Sequence, residues 1–267
     1  MLKKRVITAL WALPLAITAV WFDKPLPWFS VLVAVCGLLA AFEFYSLVTA
    51  SKVTPLTYFG IVWTLLFIIS PHFAVSLPTS LLLTSAVLIS LIRLFFLAHK
   101  EQAFAGWAWT MGGILYIGWL LGYLVALRGL DDGRNWVFLT LFTTFAYDTM
   151  AFFTGRTWGK HQLAPRISPS KTWEGVIGGI IGAIIISLFF ILPTPLSLDM
   201  NWQQAILLGI LVSIFSQLGD LVESLFKRNM GAKDSGRLMP GHGGILDRID
   251  SLIFAGVTVY YYAIWIA

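Results

Sequence analysis

The chain alternates between long apolar runs and short polar breaks. Its apolar runs approach the length of about 20 residues that an α-helix needs to cross the hydrocarbon core of a bilayer. They fall at 6–22, 28–48, 56–70, 79–97, 106–127, 136–155, 174–192, 203–226 and 251–267. The breaks between them contain helix-terminating residues, as in DKPLP, RGLDDGRN and LPTPLSLDMN. This pattern predicts an all-α, polytopic integral membrane protein with about nine transmembrane helices.

Composition and charge support this prediction and orient the chain. Hydrophobic residues make up 58% of the sequence and charged residues 12%, whereas a soluble domain carries about 25% charged residues. With a cytoplasmic N-terminus, 15 of the 18 Lys and Arg residues fall on the cytoplasmic side, and Lys24, Arg128 and Arg134 fall on the other. Because basic residues favour cytoplasmic loops, we interpret the net charge of +5 as a sign of orientation and not of nucleic-acid binding. The predicted location is the inner cell membrane.

The two halves of the chain differ in the polarity of their predicted spans. Residues 1–135 have few intramembrane charges and are interpreted as scaffold helices. In residues 136–267, Asp148 lies eight residues before Arg156 and Asp220 lies seven residues before Lys227, or about 10–12 Å along the helix axis. A carboxylate at this depth indicates either a functional group or a structural ion pair. We treat both halves as one membrane domain with its active site on the cytoplasmic face.

Residues 227–250, KRNMGAKDSGRLMPGHGGILDRID, contain eight charged residues and five glycines. The GHGG stretch allows close approach of backbone amides to a phosphate, and a helix N-terminus beginning just after it would add further donors. Asp247 and Asp250, spaced i, i+3, lie on one face of a helix. Together with Asp220 they offer the hard oxygen ligands that suit Mg²⁺. The alternative interpretation is that the two acids only stabilise the start of the last helix. On the preceding helix, the i, i+4 spacing of Glu223 and Lys227 predicts an ion pair between them.

A second cytoplasmic loop, GRTWGKHQLAPRISPSKTWEG at 155–175, is rich in basic residues. Lys171 and Arg166 are candidate phosphate ligands, although the loop also fits a purely topological role. His161 is a weaker candidate for acid–base chemistry than His242. The following span begins EGVIGGIIGA, whose small residues four apart predict close helix packing, either within the chain or between protomers.

The run SLFKRNMGAKDSGRLMPGHGGILDRID, from Ser224, resembles the signature of the phosphatidate cytidylyltransferase (CDP-diacylglycerol synthase) family. The shared pattern is Ser-x-x-Lys-Arg, Lys-Asp, His-Gly-Gly and Asp-Arg-x-Asp, and the SPSKTWEG stretch at 168–175 is similar to bacterial members as well. Met239, Tyr147 and Met150 depart from the residues common in the family, whereas the charged positions are intact.

This resemblance implies a membrane-embedded, Mg²⁺-dependent homodimer that condenses CTP with phosphatidic acid, giving CDP-diacylglycerol and pyrophosphate. It also admits a monovalent cation such as K⁺ beside the magnesium. The expected metal ligands are Asp220, Asp247 and Asp250, which form the catalytic set with Lys227. The expected substrate-binding residues are Lys171, Arg228, Lys233, His242, Gly243, Gly244 and Arg248. The alternatives are a cation-coupled transporter that uses Asp148 and Asp220, and a related lipid or polyprenol phosphotransferase.

Overall fold

The computed structural model describes residues 14–22, 27–73, 78–96, 102–236, 238 and 243–266. Over these residues the chain is helical apart from loops and one short hairpin, so the predicted all-α class is confirmed. Packing divides the chain into two compact units. The first unit comprises Met1–Ala126 and Asn229–Arg248, and the second comprises Leu127–Arg228 and Ile249–Ala267. The division does not follow chain order, because the glycine-rich signature segment groups with the N-terminal helices.

The first unit is built from apolar helices of the N-terminal half. They are α1 (Trp28–Ala50), α2 (Thr57–Ile69) with a 3₁₀ turn (Ser70–Phe73), α3 (Thr79–Leu94), α4 (Ala103–Gly113) and the start of α5 (Leu120–Arg128). A π-helical segment, Ile114–Trp119, joins α4 to α5 without a break. Residues 14–21 are helical as well. The helices cover the corresponding predicted spans, and the beginning of the predicted span 6–22 lies outside the described residues.

Glycines and one tyrosine bring the helices of the first unit together. A side chain at Gly118 would collide with the α2 backbone at Thr64, so the π-helical segment and α2 pack backbone to backbone. Tyr45 is fully buried, and its hydroxyl donates to the Thr110 carbonyl at 2.9 Å. The Thr110 hydroxyl in turn accepts the Leu56 amide at 2.8 Å. These bonds satisfy polar groups that lipid could not satisfy.

The second unit contains the longer helices of the C-terminal half. They are α6 (Gly133–Trp158), α7 (Trp173–Phe189), α8 (Trp202–Asn229) and α9 (Leu246–Trp265), the last of which begins in the first unit. Between α6 and α7, the strands β1 (Gln162–Ala164) and β2 (Ser168–Thr172) form an antiparallel hairpin. The sequence had indicated only a basic loop here.

The small residues of α7 pack against α6 of the same chain. Added side chains at Gly178, Gly179 and Gly182 would overlap Thr154, Tyr147 and Met150 respectively. The close packing predicted from the EGVIGGIIGA pattern is therefore present within the chain. At the opposite end of the unit, the Tyr262 hydroxyl donates to the Gln204 carbonyl at 2.8 Å, which joins the end of α9 to the start of α8.

Several helices have the length and composition of membrane spans. Four of the described helices qualify, namely Trp28–Ala50, Ala103–Arg128, Gly133–Trp158 and Trp202–Asn229. The helices Thr57–Phe73, Thr79–Leu94 and Trp173–Phe189 are apolar but shorter. These helices are those of a membrane protein, whereas the count of nine spans and the cytoplasmic N-terminus stay predictions.

Candidate active site

An ion pair joins the hairpin to α8 within the second unit. The Lys171 ammonium, on β2, is 2.5 Å from Asp220 Oδ2, and both side chains are largely buried. Asp220 Oδ1 also accepts the Ser224 hydroxyl, one turn further along α8, at 3.3 Å. Two residues that the sequence assigned to different roles, substrate binding and metal ligation, are therefore in direct contact.

Asp250 belongs to the same electrostatic cluster as this ion pair. It lies on α9 and is only 7% exposed, and its carboxylate accepts the Ser251 amide at 2.7 Å. The charged groups that act on it are Asp220, Asp148 and Lys171, which are two carboxylates and one ammonium. Gly219 allows the close approach, since an added Cβ there would lie 2.5 Å from the Asp250 carbonyl oxygen. Asp148, whose role the sequence left open, thus joins the two predicted metal ligands.

Two further basic residues of α8 have partners within the second unit. The Lys227 ammonium is 2.5 Å from the carboxylate of Glu223, which is fully buried. The sequence had predicted this pairing from the i, i+4 spacing, and it is confirmed. Arg228 is exposed and donates from Nε to the Ile167 carbonyl in the hairpin turn at 3.3 Å. Both bases lie in the last turn of α8, and Arg228 contacts the hairpin turn.

Local contacts hold the hairpin and therefore Lys171 in position. The Thr172 hydroxyl caps α7 by accepting the Gly175 amide at 3.1 Å, a favoured arrangement at a helix start. At the same end of the hairpin, the exposed His161 ring contacts the Glu174 carboxylate at 2.6 Å. His161 therefore has a structural partner, and both contacts hold the end of the hairpin next to Lys171.

The first unit contains an acidic cluster of its own, centred on Asp247. Asp247 Oδ2 accepts the Ser235 amide and hydroxyl, each at 3.0 Å, and the Gly244 amide at 2.8 Å. Asp247 and Asp250 lie one turn apart on α9, as the i, i+3 spacing predicted. In this structure the Gly244 amide, which the sequence assigned to a phosphate, is bonded to Asp247.

Glu43 on α1 completes this acidic cluster of the first unit, although the sequence had not indicated a role for Glu43. Its side chain is 3% exposed and accepts the Ser235 hydroxyl at 3.0 Å, the Ile245 amide at 3.1 Å and the Leu246 amide at 3.0 Å. The rule that flagged Asp148 and Asp220, an acid inside an apolar run, applies equally to Glu43. We had instead interpreted the N-terminal half as scaffold.

The other predicted substrate-binding residues lie near the acidic cluster of the first unit in the sequence. Lys233 and Arg248 are exposed. Gly243 has φ of +85°, a conformation that favours glycine. His242 lies outside the described residues.

The carboxylates described above supply some, but not all, of the ligands that a hard cation needs. Among the described residues there is no group of three or more His, Cys, Asp or Glu side chains arranged to hold one metal ion. Mg²⁺, however, is commonly held by one or two carboxylates, with water and substrate phosphates completing its shell. The Asp220 and Asp250 pair supplies oxygen donors of that kind, and Asp148 adds negative charge beside them.

Comparison with known proteins agrees with the signature in this region. The model of the cytidylyltransferase family matches residues 3–266. The chain is 36% identical to a phosphatidate cytidylyltransferase of Staphylococcus saprophyticus over 257 residues, covering 95% of each chain. It is 31% identical to the Bacillus subtilis protein of that name over 264 residues, 97% of each chain. Over 195 residues it is 40% identical to the one from Staphylococcus haemolyticus, covering 71% of this chain and 72% of that protein. The chain belongs to the cytidylyltransferase family.

Proposed function

We propose that the protein is a phosphatidate cytidylyltransferase, an enzyme that converts CTP and phosphatidic acid into CDP-diacylglycerol and pyrophosphate. The observation that carries the proposal is the partly buried Lys171–Asp220 pair, in one electrostatic cluster with Asp250 and Asp148, in a chain that matches enzymes of this name over nearly its full length. Removing ionisable groups from water is costly, so ionisable groups within membrane-spanning helices are functional candidates by default.

The reaction needs little covalent help from the protein. A phosphate oxygen of phosphatidic acid attacks the α-phosphorus of CTP and forms a new P–O bond. The bond between the α-phosphorus and the bridging oxygen to the β-phosphorus breaks, and that oxygen leaves with pyrophosphate. Because the lipid phosphate is already ionised at neutral pH, the enzyme has to orient two anions and neutralise their charge.

We assign the roles of the basic residues from their positions. Lys171 and Lys227 are the partly buried cations, and in our proposal each exchanges its carboxylate partner for a substrate phosphate when substrate binds. Arg228, Lys233 and Arg248 are exposed and attract the triphosphate. Gly243, Gly244 and His242 belong to the proposed phosphate-binding stretch, and binding there requires the Gly244 amide to leave Asp247.

Mg²⁺ is the proposed cofactor, with Asp220, Asp250 and Asp247 as its candidate ligands. The argument rests on charge: two carboxylates and one ammonium act electrostatically on the Asp250 carboxylate, so a divalent cation would offset the excess of negative charge. When bound, Mg²⁺ would neutralise the phosphate oxygens of the nucleotide. A monovalent cation such as K⁺ beside it, a homodimer and an active site facing the cytoplasm are further parts of the proposal.

The test uses purified protein with CTP labelled at either the α- or the γ-phosphate, together with phosphatidic acid and Mg²⁺. We expect the α-label to enter the organic phase and the γ-label to remain in aqueous pyrophosphate. Transfer of the γ-label to lipid would instead identify a phosphotransferase. Cation movement into proteoliposomes without consumption of CTP would identify a transporter and overturn the proposal.

A further inference from the structure

Glu43 is a buried acid that contacts the signature segment from a distant part of the sequence. Its Oε2 accepts the Ser235 hydroxyl and the Leu246 amide, and its Oε1 accepts the Ile245 amide. Leu246 is the first residue of α9. A carboxylate from α1 therefore satisfies backbone donors at the N-terminus of another helix, where negative charge is favourable.

The Ser235 hydroxyl links Glu43 to Asp247. It lies 3.0 Å from Glu43 Oε2 and 3.0 Å from Asp247 Oδ2. Asp247 also accepts the amides of Ser235 and Gly244. The position of Asp247 is thus determined by a loop and a helix start that are themselves bonded to Glu43.

Glycines leave the space that this arrangement requires. A Cβ at Gly236 would overlap Glu43 Oε1, and a Cβ at Gly244 would overlap both Ser235 Oγ and Glu43 Oε2. At Gly243, a Cβ would lie 2.8 Å from Asp247 Oδ2. Two of the glycines in the signature segment therefore admit the Glu43 carboxylate, a role separate from phosphate approach.

We propose that Glu43 is a positioning residue for catalysis: it fixes Ser235 and the backbone amides of Ile245 and Leu246 at the start of α9, and so sets the position of Asp247. The proposal rests on the proposed function only for the catalytic role of Asp247. The contacts of Glu43 themselves lie within the first unit. Glu43 itself touches neither substrate nor metal in this account. It acts through Asp247.

Glu43→Gln is the variant that separates the carboxylate from its bulk. Glutamine has one acceptor oxygen, and its NH₂ group would face at least one of the donors that now bond to Glu43. We expect kcat to fall about 100-fold with the KM for CTP changed less than about threefold, because misplacement of a catalytic group by a fraction of an ångström acts on the chemical step. Glu43→Asp keeps both oxygens on a shorter side chain, so it should recover at least about tenfold of that loss.

Hydrogen–deuterium exchange gives a readout that does not depend on activity. In Glu43→Gln, peptides covering residues 229–250 should exchange about tenfold faster while peptides from α6 to α8 are unchanged, because only the local opening energy falls. The matched control is Ser46→Ala on α1, whose exposed hydroxyl donates to the Phe42 carbonyl of its own helix. It should retain wild-type exchange and kcat.

Gly236→Ala provides an independent test if Glu43→Gln fails to fold. It retains the carboxylate but occupies its space, so we expect faster exchange in residues 229–250 and a fall in kcat. Wild-type exchange in this segment with kcat within about threefold of wild type, in either variant that folds, would overturn the proposal. If the wild-type protein were inactive but the variants still showed faster exchange, the proposed function would be rejected. The role of Glu43 in holding Ser235 and the start of α9 would still be supported.

Discussion

The two units of this protein hold buried carboxylates in different ways. In the first unit, Glu43 and Asp247 accept hydrogen bonds from neutral donors of the described residues, namely a serine hydroxyl and backbone amides. In the second unit, Asp220 contacts an ammonium, and Asp250 lies in the field of two other carboxylates and Lys171.

This difference bears on what each cluster can do. Neutral donors that are fixed in a loop and a helix start determine the position of an acid, as hydrogen bonds have narrow geometry. An excess of negative charge, by contrast, is costly in a low-dielectric environment until a cation offsets it. We therefore interpret the first cluster as one that positions its acids and the second as one that binds ions and charged substrates.

The largest expected effect comes from removing charge in the second unit. Asp220→Asn keeps the size of the side chain but removes the charge that pairs with Lys171 and the proposed Mg²⁺ ligand. We expect formation of CDP-diacylglycerol to fall about 10³-fold, because one charged group in a preorganised site contributes that much. Asp247→Asn should have a comparable effect, measured by the same lipid-extraction assay.

The control for this prediction is Asp199→Asn, which makes the same change at an exposed position of the second unit. It should have wild-type activity. Near-normal turnover in both Asp220→Asn and Asp247→Asn, with folded protein, would remove the metal assignment.

A smaller effect is expected from the lysine of the same ion pair. Lys171→Gln leaves Asp220 without its ammonium partner and removes one proposed phosphate ligand. We expect kcat/KM to fall about 100-fold, and the Mg²⁺ concentration that gives half-maximal rate to change, because Lys171 and the cation offset the same carboxylates. Lys160→Gln, which removes an exposed lysine just before the hairpin, is the matched control. An unchanged kcat/KM in Lys171→Gln would contradict the electrostatic role of the second cluster.

The smallest effect concerns the helix packing that supports the second cluster. An alanine Cβ at Gly179 would lie 2.5 Å from the ring of Tyr147, the residue before Asp148. Such overpacking should lower the free energy of unfolding by about 1–3 kcal/mol. Gly112→Ala, also in a helix, has nothing within 4 Å of the added Cβ and should be neutral or stabilising by up to about 1 kcal/mol. Equal unfolding midpoints for the two variants would argue against tight packing of α6 and α7.

Much of the fold and part of the site could be predicted from local sequence patterns. Apolar runs predicted the helices, and the i, i+4 spacing predicted the Glu223–Lys227 pair, because both depend on residues close in sequence. The signature from Ser224 identified the family for the same reason. Its pattern is contiguous.

The remaining features depend on contacts between distant residues, which these patterns do not encode. Lys171 contacts Asp220 across 49 positions, from 171 to 220. Glu43 contacts a loop about 200 residues away along the chain. Its own segment gave one usable indication, a single acid in an apolar run seven residues before the end of α1, and the interpretation of the N-terminal half as scaffold missed it.

The comparison between the two clusters is tested most directly by measuring activity and deuterium exchange on Asp220→Asn and Glu43→Gln side by side. The account predicts that Asp220→Asn loses cytidylyl transfer with wild-type exchange in residues 229–250, whereas Glu43→Gln loses transfer together with faster exchange in that segment. If both variants accelerated exchange there equally, or neither did, the distinction between a positioning cluster and an ion-binding cluster would be contradicted.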